Sequence, residues 1–286
     1  MVFRRHMFRK AVILGTGLIG GSIGLALKKE GLAEKVVGMS RHEASLKTAL
    51  TMGAIDIAET DLQKAIGGAD LVILAAPVNI ILDNIADIAR HLRRDCIVTD
   101  VGSTKGLVVD TAEKLFPAHV LFVGSHPMAG SEKSGVANAS VDLFKGAAVI
   151  MTPTGKTNKV AKDKIKLLWA KLGADVRVMD PVKHDEVMAF VSHLPHLAAF
   201  ALMRAIPDDY LTYGGAGLKD TTRIAASSSK MWGDICLSNY RNVLKGIDEM
   251  AKSLADLRKA ILEHDEESLS EYLNQAKGRR ESLDKK

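Results

Sequence analysis

The sequence predicts a doubly wound α/β sheet followed by an all-helical domain. Short apolar segments alternate with amphipathic stretches from Lys10 to about Met179, which is typical of a sheet covered by helices on both faces. Strand signals stop after Asp180-Pro181, and apolar residues then recur at helical spacing. A length of 286 residues suits two domains. We place them at residues 1–179 and 180–286.

Seven segments have the composition of strands buried on both faces. They are Ala11–Leu14, Lys35–Met39, Leu71–Ala75, Cys96–Asp100, Val120–Val123, Ala147–Thr152 and Asp175–Met179. In such a sheet the carboxyl ends of the strands face the ligand crevice. The residues that follow each strand are therefore the first candidates for function.

The second half predicts helices at Val182–Ala205, Lys230–Glu263 and Glu266–Ser282. On the second of these, apolar residues from Ile247 to Ile261 are three or four positions apart, which defines one helix face. About a hundred helical residues with several apolar stripes have little core of their own, which favours packing against another subunit. We expect a homodimer formed through the helical domain.

Composition argues against several other classes of protein. The net charge of +5 comes from scattered basic residues and two terminal clusters, unlike the concentrated basic patch of a nucleic-acid reader. The apolar runs are far shorter than the roughly 20 residues of a bilayer span. Cys96 and Cys236 are far apart and offer neither metal-ligand spacing nor a disulfide framework. This spacing gives no reason to expect a metal site. With no secretory signal at the N-terminus, we expect a cytoplasmic protein.

A glycine-rich loop follows the first predicted strand and opens a helix. It reads Gly15-Thr16-Gly17-Leu18-Ile19-Gly20. Gly15 suits a tight turn, Gly17 lets the backbone approach phosphates, and Gly20 lets helix and strand pack closely. This strand–loop–helix context predicts a Rossmann-type domain that binds NAD or NADP, with the pyrophosphate at the helix N-terminus and Leu18 and Ile19 beside it.

The end of the second strand indicates which dinucleotide is bound. NAD enzymes usually place an Asp or Glu there, whereas this chain has Ser40-Arg41. Without a carboxylate, a 2′-phosphate meets no repulsion, and Arg41 can either pair with that phosphate or stack on the adenine. The sequence therefore favours NADP and leaves NAD open.

Three further segments follow strands and are expected to line one crevice, in which Ala76, Pro77 and Ser103 contact the dinucleotide. They are Ala76-Pro77, Gly102-Ser103-Thr104-Lys105 and a loop from Gly124 to Gly130. In that loop of small residues, His126 is the best candidate for an acid–base group, because imidazole titrates near neutral pH.

Two segments of the helical half also carry candidate residues. His193 and His196 are three positions apart, on one helix face if Pro195 does not break the turn. Without a carboxylate or cysteine at ligand spacing, a metal is less expected there than a substrate-facing or core role. The glycine-dense segment Gly214–Arg223 ends in a cation and is expected to be flexible and able to close over an anion.

Four motifs together resemble the prephenate and arogenate dehydrogenase family of tyrosine biosynthesis. They are G-T-G-L-I-G-G-S at 15–22, G-S-H-P-M-A-G-S-E-K-S-G at 124–135, S-H-L-P-H at 192–196 and G-L-K-D-T-T-R-I-A at 217–225. They occur in order over nearly the whole chain. The resemblance implies oxidative decarboxylation of prephenate or arogenate with NAD(P)⁺.

The same resemblance implies roles for individual residues. His126 would match the catalytic histidine, and Ser103 would orient it and the substrate hydroxyl. Arg223 would bind a substrate carboxylate, and a further group would shape the pocket: His193, His196, Glu132 and Trp232. We expect a monofunctional form, without a fused chorismate mutase or regulatory ACT domain, in which any inhibition by tyrosine would act at the active site.

Two alternatives remain open on the sequence alone. A 3-hydroxyacid or 6-phosphogluconate type dehydrogenase also joins a Rossmann half to helices, but it uses a lysine-centred site instead of a His-Pro-Met-Ala-Gly loop. A non-catalytic dinucleotide-sensing protein would keep the glycine loop and lose the substrate groups. Prephenate and arogenate themselves differ only by a keto group against an ammonium, for which Glu132 is a possible discriminator.

Overall fold

The computed structural model describes residues 6–130 and 134–284. Within them an eight-stranded sheet forms the centre of the first part of the chain. Its strands are β1 (Phe8–Leu14), β2 (Ala33–Met39), β3 (Ile57–Glu59), β4 (Leu71–Leu74), β5 (Ile97–Asp100), β6 (Leu121–Pro127), β7 (Ala148–Thr152) and β8 (Asp175–Val178).

Helices connect the strands and make up the remainder of the chain. They are α1 (Leu18–Lys29), α2 (Glu43–Thr51), α3 (Leu62–Ile66), α4 (Val78–Ile88), α5 (Gly106–Leu115), α6 (Lys159–Lys171), α7 (Pro181–Met188), α8 (Leu194–Ala205), α9 (Ala216–Thr222), α10 (Ser229–Ser238), α11 (Tyr240–Leu262) and α12 (Glu266–Glu281).

The sheet separates two apolar cores, as the predicted fold class requires. Successive residues of a strand point to opposite faces. Ile13 of β1 and Ile73 of β4 belong to one core, whereas their neighbours Val12 and Val72 belong to the other. Both faces are covered by helices, which confirms the doubly wound architecture predicted from the apolar strands.

The strand order is β3-β2-β1-β4-β5-β6-β7-β8, and all neighbouring pairs but one are parallel. β6 and β7 are antiparallel, with His126 opposite Ile150. Pairing with β7 prolongs β6 to Pro127, so His126 lies within a strand and not, as predicted, in a loop after it. The short strand β3 was not predicted, because only three residues pair at that edge of the sheet.

The helical part differs from the sequence prediction in three places. A π-helical turn at Ala189–His193 separates α7 from α8, and it accommodates Pro195 in the first turn of α8. The predicted helix over 230–263 is interrupted at Asn239, whose side-chain amide donates to the carbonyl oxygen of Asp185 at 2.7 Å. The segment predicted to be flexible is mostly helical, as α9.

The chain forms two compact units. The first ends at Asn239 and contains the sheet and helices α1 to α10; the second starts at Tyr240 and contains α11 and α12. In the second unit the two helices contact each other, and the hydroxyls of Ser253 and Tyr272 are 2.6 Å apart.

By length and composition, the helical stretch Pro181–Ala205 could cross a bilayer. It contains His184, Asp185 and His193, all buried inside the protein. Ionisable side chains are expensive in a lipid-facing helix. We therefore interpret the stretch as part of the folded first unit.

Candidate active site

A cleft of about 910 Å³ lies at the carboxyl ends of β1, β4 and β5. The glycine loop, the segments after β4 and β5, the end of β6, helices α8 and α10 and the segment between α9 and α10 all contribute to its walls. The predicted site residues that line it are Gly17, Leu18, Ile19, Ala76, Pro77, Ser103, His126, His196, Arg223 and Trp232. The cleft therefore brings together most of the residues singled out in the sequence.

The three glycines of the loop occupy different positions. Gly15 has a φ of +104°, which favours glycine, and a Cβ added there would overlap the carbonyl oxygen of Ala75. A Cβ on Gly20 would overlap the carbonyl oxygen of Gly15, so this glycine allows the helix to pack on the strand. A Cβ on Gly17 would meet no atom within 4 Å, because Gly17 faces the open cleft.

The glycine loop fits a dinucleotide. Gly17 is the N-cap of α1, where no side chain caps the first turn. The first backbone N–H groups of a helix have no intrahelical acceptor and attract phosphate. Gly17, Leu18 and Ile19 line the cleft, so these N–H groups are available to a pyrophosphate bound in it.

Ser40 and Arg41 follow β2 and lie outside the lining of the cleft. Arg41 is exposed, and the backbone N–H of Ser40 donates to the carbonyl oxygen of Glu59 at 3.4 Å. Because β2 adjoins β1 in a parallel pairing, these residues are at the same edge of the sheet as the glycine loop. This is where the adenosine half of a dinucleotide is bound in the Rossmann fold.

His126 lines the cleft with only 7% of its surface exposed. Its Nδ1 lies 2.8 Å from Nε2 of His184, so Nε2 is the ring nitrogen left for a substrate. Burial, followed by the nearby His184, Lys105 and His193, holds the pKa of His126 well below its usual range. A neutral imidazole is the form that can accept a proton.

Sequence analysis missed His184 and Asp185, which lie directly behind His126, and expected the buried Lys105 to line the crevice. Nδ1 of His184 lies 2.9 Å from Oδ1 of Asp185, and both side chains are buried. Lys105 is fully buried in an ion pair with Asp100, and its Nζ also donates to the carbonyl oxygen of Ser125 at 2.9 Å. His184 and Asp185 lie in α7, far along the chain from His126, and no spacing in the sequence links them.

The wall formed by the helical elements carries the other predicted residues. His196 stacks on Trp232, with ring centroids 3.8 Å apart, and both line the cleft together with Arg223. His193 is instead 1% exposed and lies outside the lining, with its ring edge-on to Trp232. Burial lowers the pKa of His193 to about 4. Glu132 falls outside the described residues.

Comparison with known proteins agrees with this geometry. Residues 23–178 match the family model described as "Prephenate dehydrogenase, nucleotide-binding domain", and residues 180–275 match "Prephenate dehydrogenase, dimerization domain". The chain belongs to the prephenate dehydrogenase family. It is an oxidoreductase of that family and uses a nicotinamide dinucleotide.

Individual family members are similar over nearly the full chain. A prephenate dehydrogenase of Bacillus subtilis is 37% identical, over 95% of this chain and 75% of its own length. The structure of prephenate dehydrogenase from A. aeolicus with hydroxyphenyl propionate and NAD+ has a TM-score of 0.90 and 37% identity, covering 96% of this chain and 98% of that one. Synechocystis arogenate dehydrogenase has a TM-score of 0.81 at 27% identity, covering 96% and 99% of the two chains.

Proposed function

We propose that this chain oxidises and decarboxylates prephenate, with His126 as the base. The observation that carries the proposal is the arrangement around one cleft of the glycine loop, a buried neutral His126 and the Arg223 guanidinium. Dehydrogenation of an alcohol needs a proton acceptor near a hydride acceptor, and an anionic substrate needs a cation.

Each residue has a defined role in the proposed reaction. The bound nicotinamide dinucleotide supplies the hydride acceptor. Nε2 of His126 takes the proton of the ring hydroxyl as the carbinol carbon is oxidised, and loss of CO₂ then makes the ring aromatic. Ser103 hydrogen-bonds the same hydroxyl, and Arg223 pairs with a substrate carboxylate. The stacked His196 and Trp232 form an apolar wall beside the substrate ring.

The charges of the cleft favour prephenate over arogenate. Arg223 supplies a cation to the lining, and among the lining residues that the structure describes there is no carboxylate. The ammonium of arogenate would therefore lack a partner on these walls, whereas the keto group of prephenate needs none. Glu132 is the residue through which arogenate could still be accepted.

We further propose that NADP is accepted at least as well as NAD. Arg41 is exposed at the end of β2, and Ser40 stands where NAD enzymes usually place a carboxylate, so a 2′-phosphate would meet a cation there.

Initial rates with prephenate and arogenate, each with NAD+ and NADP+, test both preferences in one assay. We expect a higher kcat/KM with prephenate than with arogenate. We expect the kcat/KM with NADP+ to be at least equal to that with NAD+. Arg41→Ala should lower kcat/KM for NADP+ far more than for NAD+. A strong NAD+ preference in the unchanged protein would contradict the cofactor proposal, and faster turnover of arogenate would contradict the substrate proposal.

His126→Asn tests the role of the base separately. Loss of general-base catalysis should lower kcat by about 10²- to 10⁴-fold while the protein still binds the dinucleotide. Near-normal turnover by this variant would show that another group accepts the proton.

We also propose that residues 180–286 supply substrate-binding groups and a homodimer interface, that residues 1–179 bind the dinucleotide, and that the enzyme acts in the cytoplasm. The matched model for 180–275 is a dimerization domain. Large apolar side chains of α11 are exposed in the single chain, among them Leu244, Leu254 and Ile261, and exposed apolar stripes mark interaction surfaces.

Light scattering coupled to size exclusion tests the dimer. We expect twice the mass of one chain, and Leu254→Glu should shift the protein towards the monomer. Lys252→Glu changes the charge of an exposed polar position on the same helix and should leave the dimer intact. A monomeric unchanged protein would contradict the proposal.

A further inference from the structure

A buried chain of hydrogen bonds leads from His126 away from the cleft. It runs from Nδ1 of His126 to Nε2 of His184 over 2.8 Å, and from Nδ1 of His184 to Oδ1 of Asp185 over 2.9 Å. The exposed fractions of the three residues are 7%, 0% and 6%. Only His126 reaches the cleft, so His184 and Asp185 can act on the substrate only through it.

Donor and acceptor chemistry fixes where the protons of this chain lie. Asp185 also accepts the backbone N–H groups of Lys105 at 2.7 Å and Gly106 at 2.8 Å, as a carboxylate does. Its partner nitrogen, Nδ1 of His184, must therefore carry a hydrogen. In a neutral ring the other nitrogen is then an acceptor. Because Nε2 of His184 is an acceptor, Nδ1 of His126 must carry the hydrogen of the bond between the two rings. The lone pair of His126 is then on Nε2, where a substrate can meet it.

Surrounding contacts hold the two distal members in place. The carboxylate of Asp185 binds the N-terminus of α5, and its backbone carbonyl accepts the amide of Asn239 at 2.7 Å. The rings of His184 and His126 meet edge to face, with centroids 5.0 Å apart. Neither His184 nor Asp185 can turn without breaking contacts to other elements.

We propose that His184 and Asp185 are positioning residues that hold His126 in the tautomer whose free Nε2 accepts the substrate proton. The proposal rests on the function proposed above, in which His126 is the base. In the step itself the substrate O–H bond breaks and an N–H bond forms at Nε2 of His126. The resulting imidazolium keeps its Nδ1–H bond to His184, and the Asp185 carboxylate lies on the far side of that second ring.

Several charged groups surround the two rings, and they act in opposite directions. Lys105 and His193 oppose a positive charge on His126. Burial is the largest effect on His184 and lowers its pKa, whereas Asp185 and Asp100 favour a positive charge on it. Because the rings are hydrogen-bonded, they titrate as a pair. Removing the Asp185 carboxylate should lower the pKa of that pair.

The tautomer can be observed directly by ¹⁵N NMR of histidine-labelled full-length protein bound to NAD+, with the His126 signals assigned from His126→Asn. We expect hydrogen on Nδ1 and a free lone pair on Nε2 in the unchanged protein. In Asp185→Asn we expect a mixture of tautomers. Hydrogen on Nε2 of His126 in the unchanged protein would overturn the inference.

Kinetics of paired variants separate positioning from general stability. His184→Leu removes the acceptor and should lower kcat by about 10²-fold or more, with KM within about twofold. His184→Gln introduces an amide that can both donate and accept a hydrogen bond. Its kcat should be at least about tenfold higher than that of His184→Leu. Equal kcat in the Leu and Gln variants would overturn the inference, provided that both remain folded by circular dichroism.

The pH dependence of kcat/KM can be compared between Asp185→Asn and a matched control variant. Asp185→Asn should move the acid limb of kcat/KM to lower pH, because loss of a negative charge destabilises the protonated pair. Asp180→Asn removes another helix-capping carboxylate, at the start of α7, and should leave the limb in place. An unmoved limb in Asp185→Asn would count against the inference. Full activity of His126→Asn would instead overturn the proposed function, whatever the tautomer.

Discussion

Arg223 is expected to contribute to substrate binding and not to the rate of the chemical step. It lines the cleft on an element different from the one that carries His126. A guanidinium stabilises a carboxylate equally before and during hydride transfer, so its loss weakens binding more than it slows turnover. Arg223→Ala should raise KM for prephenate by about 10- to 100-fold with kcat largely retained.

Steady-state kinetics across a range of prephenate concentrations would measure this split. Arg223→Lys keeps the charge without the bidentate geometry and should give an intermediate KM. Lys230→Ala removes a cation from an exposed position outside the lining of the cleft and should leave KM unchanged. A fall in kcat at unchanged KM in Arg223→Ala would show instead that Arg223 stabilises the transition state.

At the residue scale, sequence predicts the groups that line the cleft but not those behind them. Ser103 could be found because it follows an apolar strand, and His126 because it lies at the carboxyl end of one, where the crevice forms. His184 and Asp185 act through packing between α7 and α5, which depends on how distant elements meet. His193 has the spacing of a pocket residue, yet the π-helical turn before α8 buries it.

At the scale of elements, the glycines in α1 and at its N-cap have separate functions. A Cβ on Gly24 would overlap the carbonyl oxygen of Ala54, whereas a Cβ on Gly17 would enter open space in the cleft. Gly24→Ala should therefore lower the free energy of unfolding by about 1–3 kcal/mol. Gly17→Ala should leave it within about 0.5 kcal/mol and weaken dinucleotide binding at least about tenfold, equivalent to roughly 1.4 kcal/mol.

Urea denaturation and titration calorimetry with NAD+ and NADP+ would give both quantities for each variant, so that the two glycines act as controls for each other. Equal dinucleotide affinity in Gly17→Ala and the unchanged protein would mean that the loop backbone does not approach the phosphates.

Most elements of the sheet are predictable because their strands are buried on both faces and read as continuous apolar runs. The direction of β7 is not, since a buried strand has the same composition whether it runs parallel or antiparallel. The break between α10 and α11 is equally hidden, because it depends on a hydrogen bond from Asn239 to the distant Asp185.

At the scale of the whole molecule, burial of histidines couples stability to pH. The pKa values of His126, His184, His193 and His196 are all lowered, first of all by burial, and that of His193 reaches about 4. In the unfolded chain a histidine titrates near 6.5. Below that pH the unfolded state binds protons that the folded state does not bind, so the folded state loses stability as the pH falls.

We therefore expect the free energy of unfolding to be nearly level above about pH 7 and to fall between about pH 6.5 and 4. The fall is up to roughly 1.4 kcal/mol per pH unit for each of the three buried imidazoles, those of His126, His184 and His193. Urea denaturation at several pH values measures the slope. His193→Asn should make it shallower by about one proton's contribution, whereas His91→Asn, at an exposed position, should not change it. Identical slopes in the unchanged protein and His193→Asn would show that the folded protein binds a proton at His193 as readily as the unfolded chain does, against its burial beside Trp232.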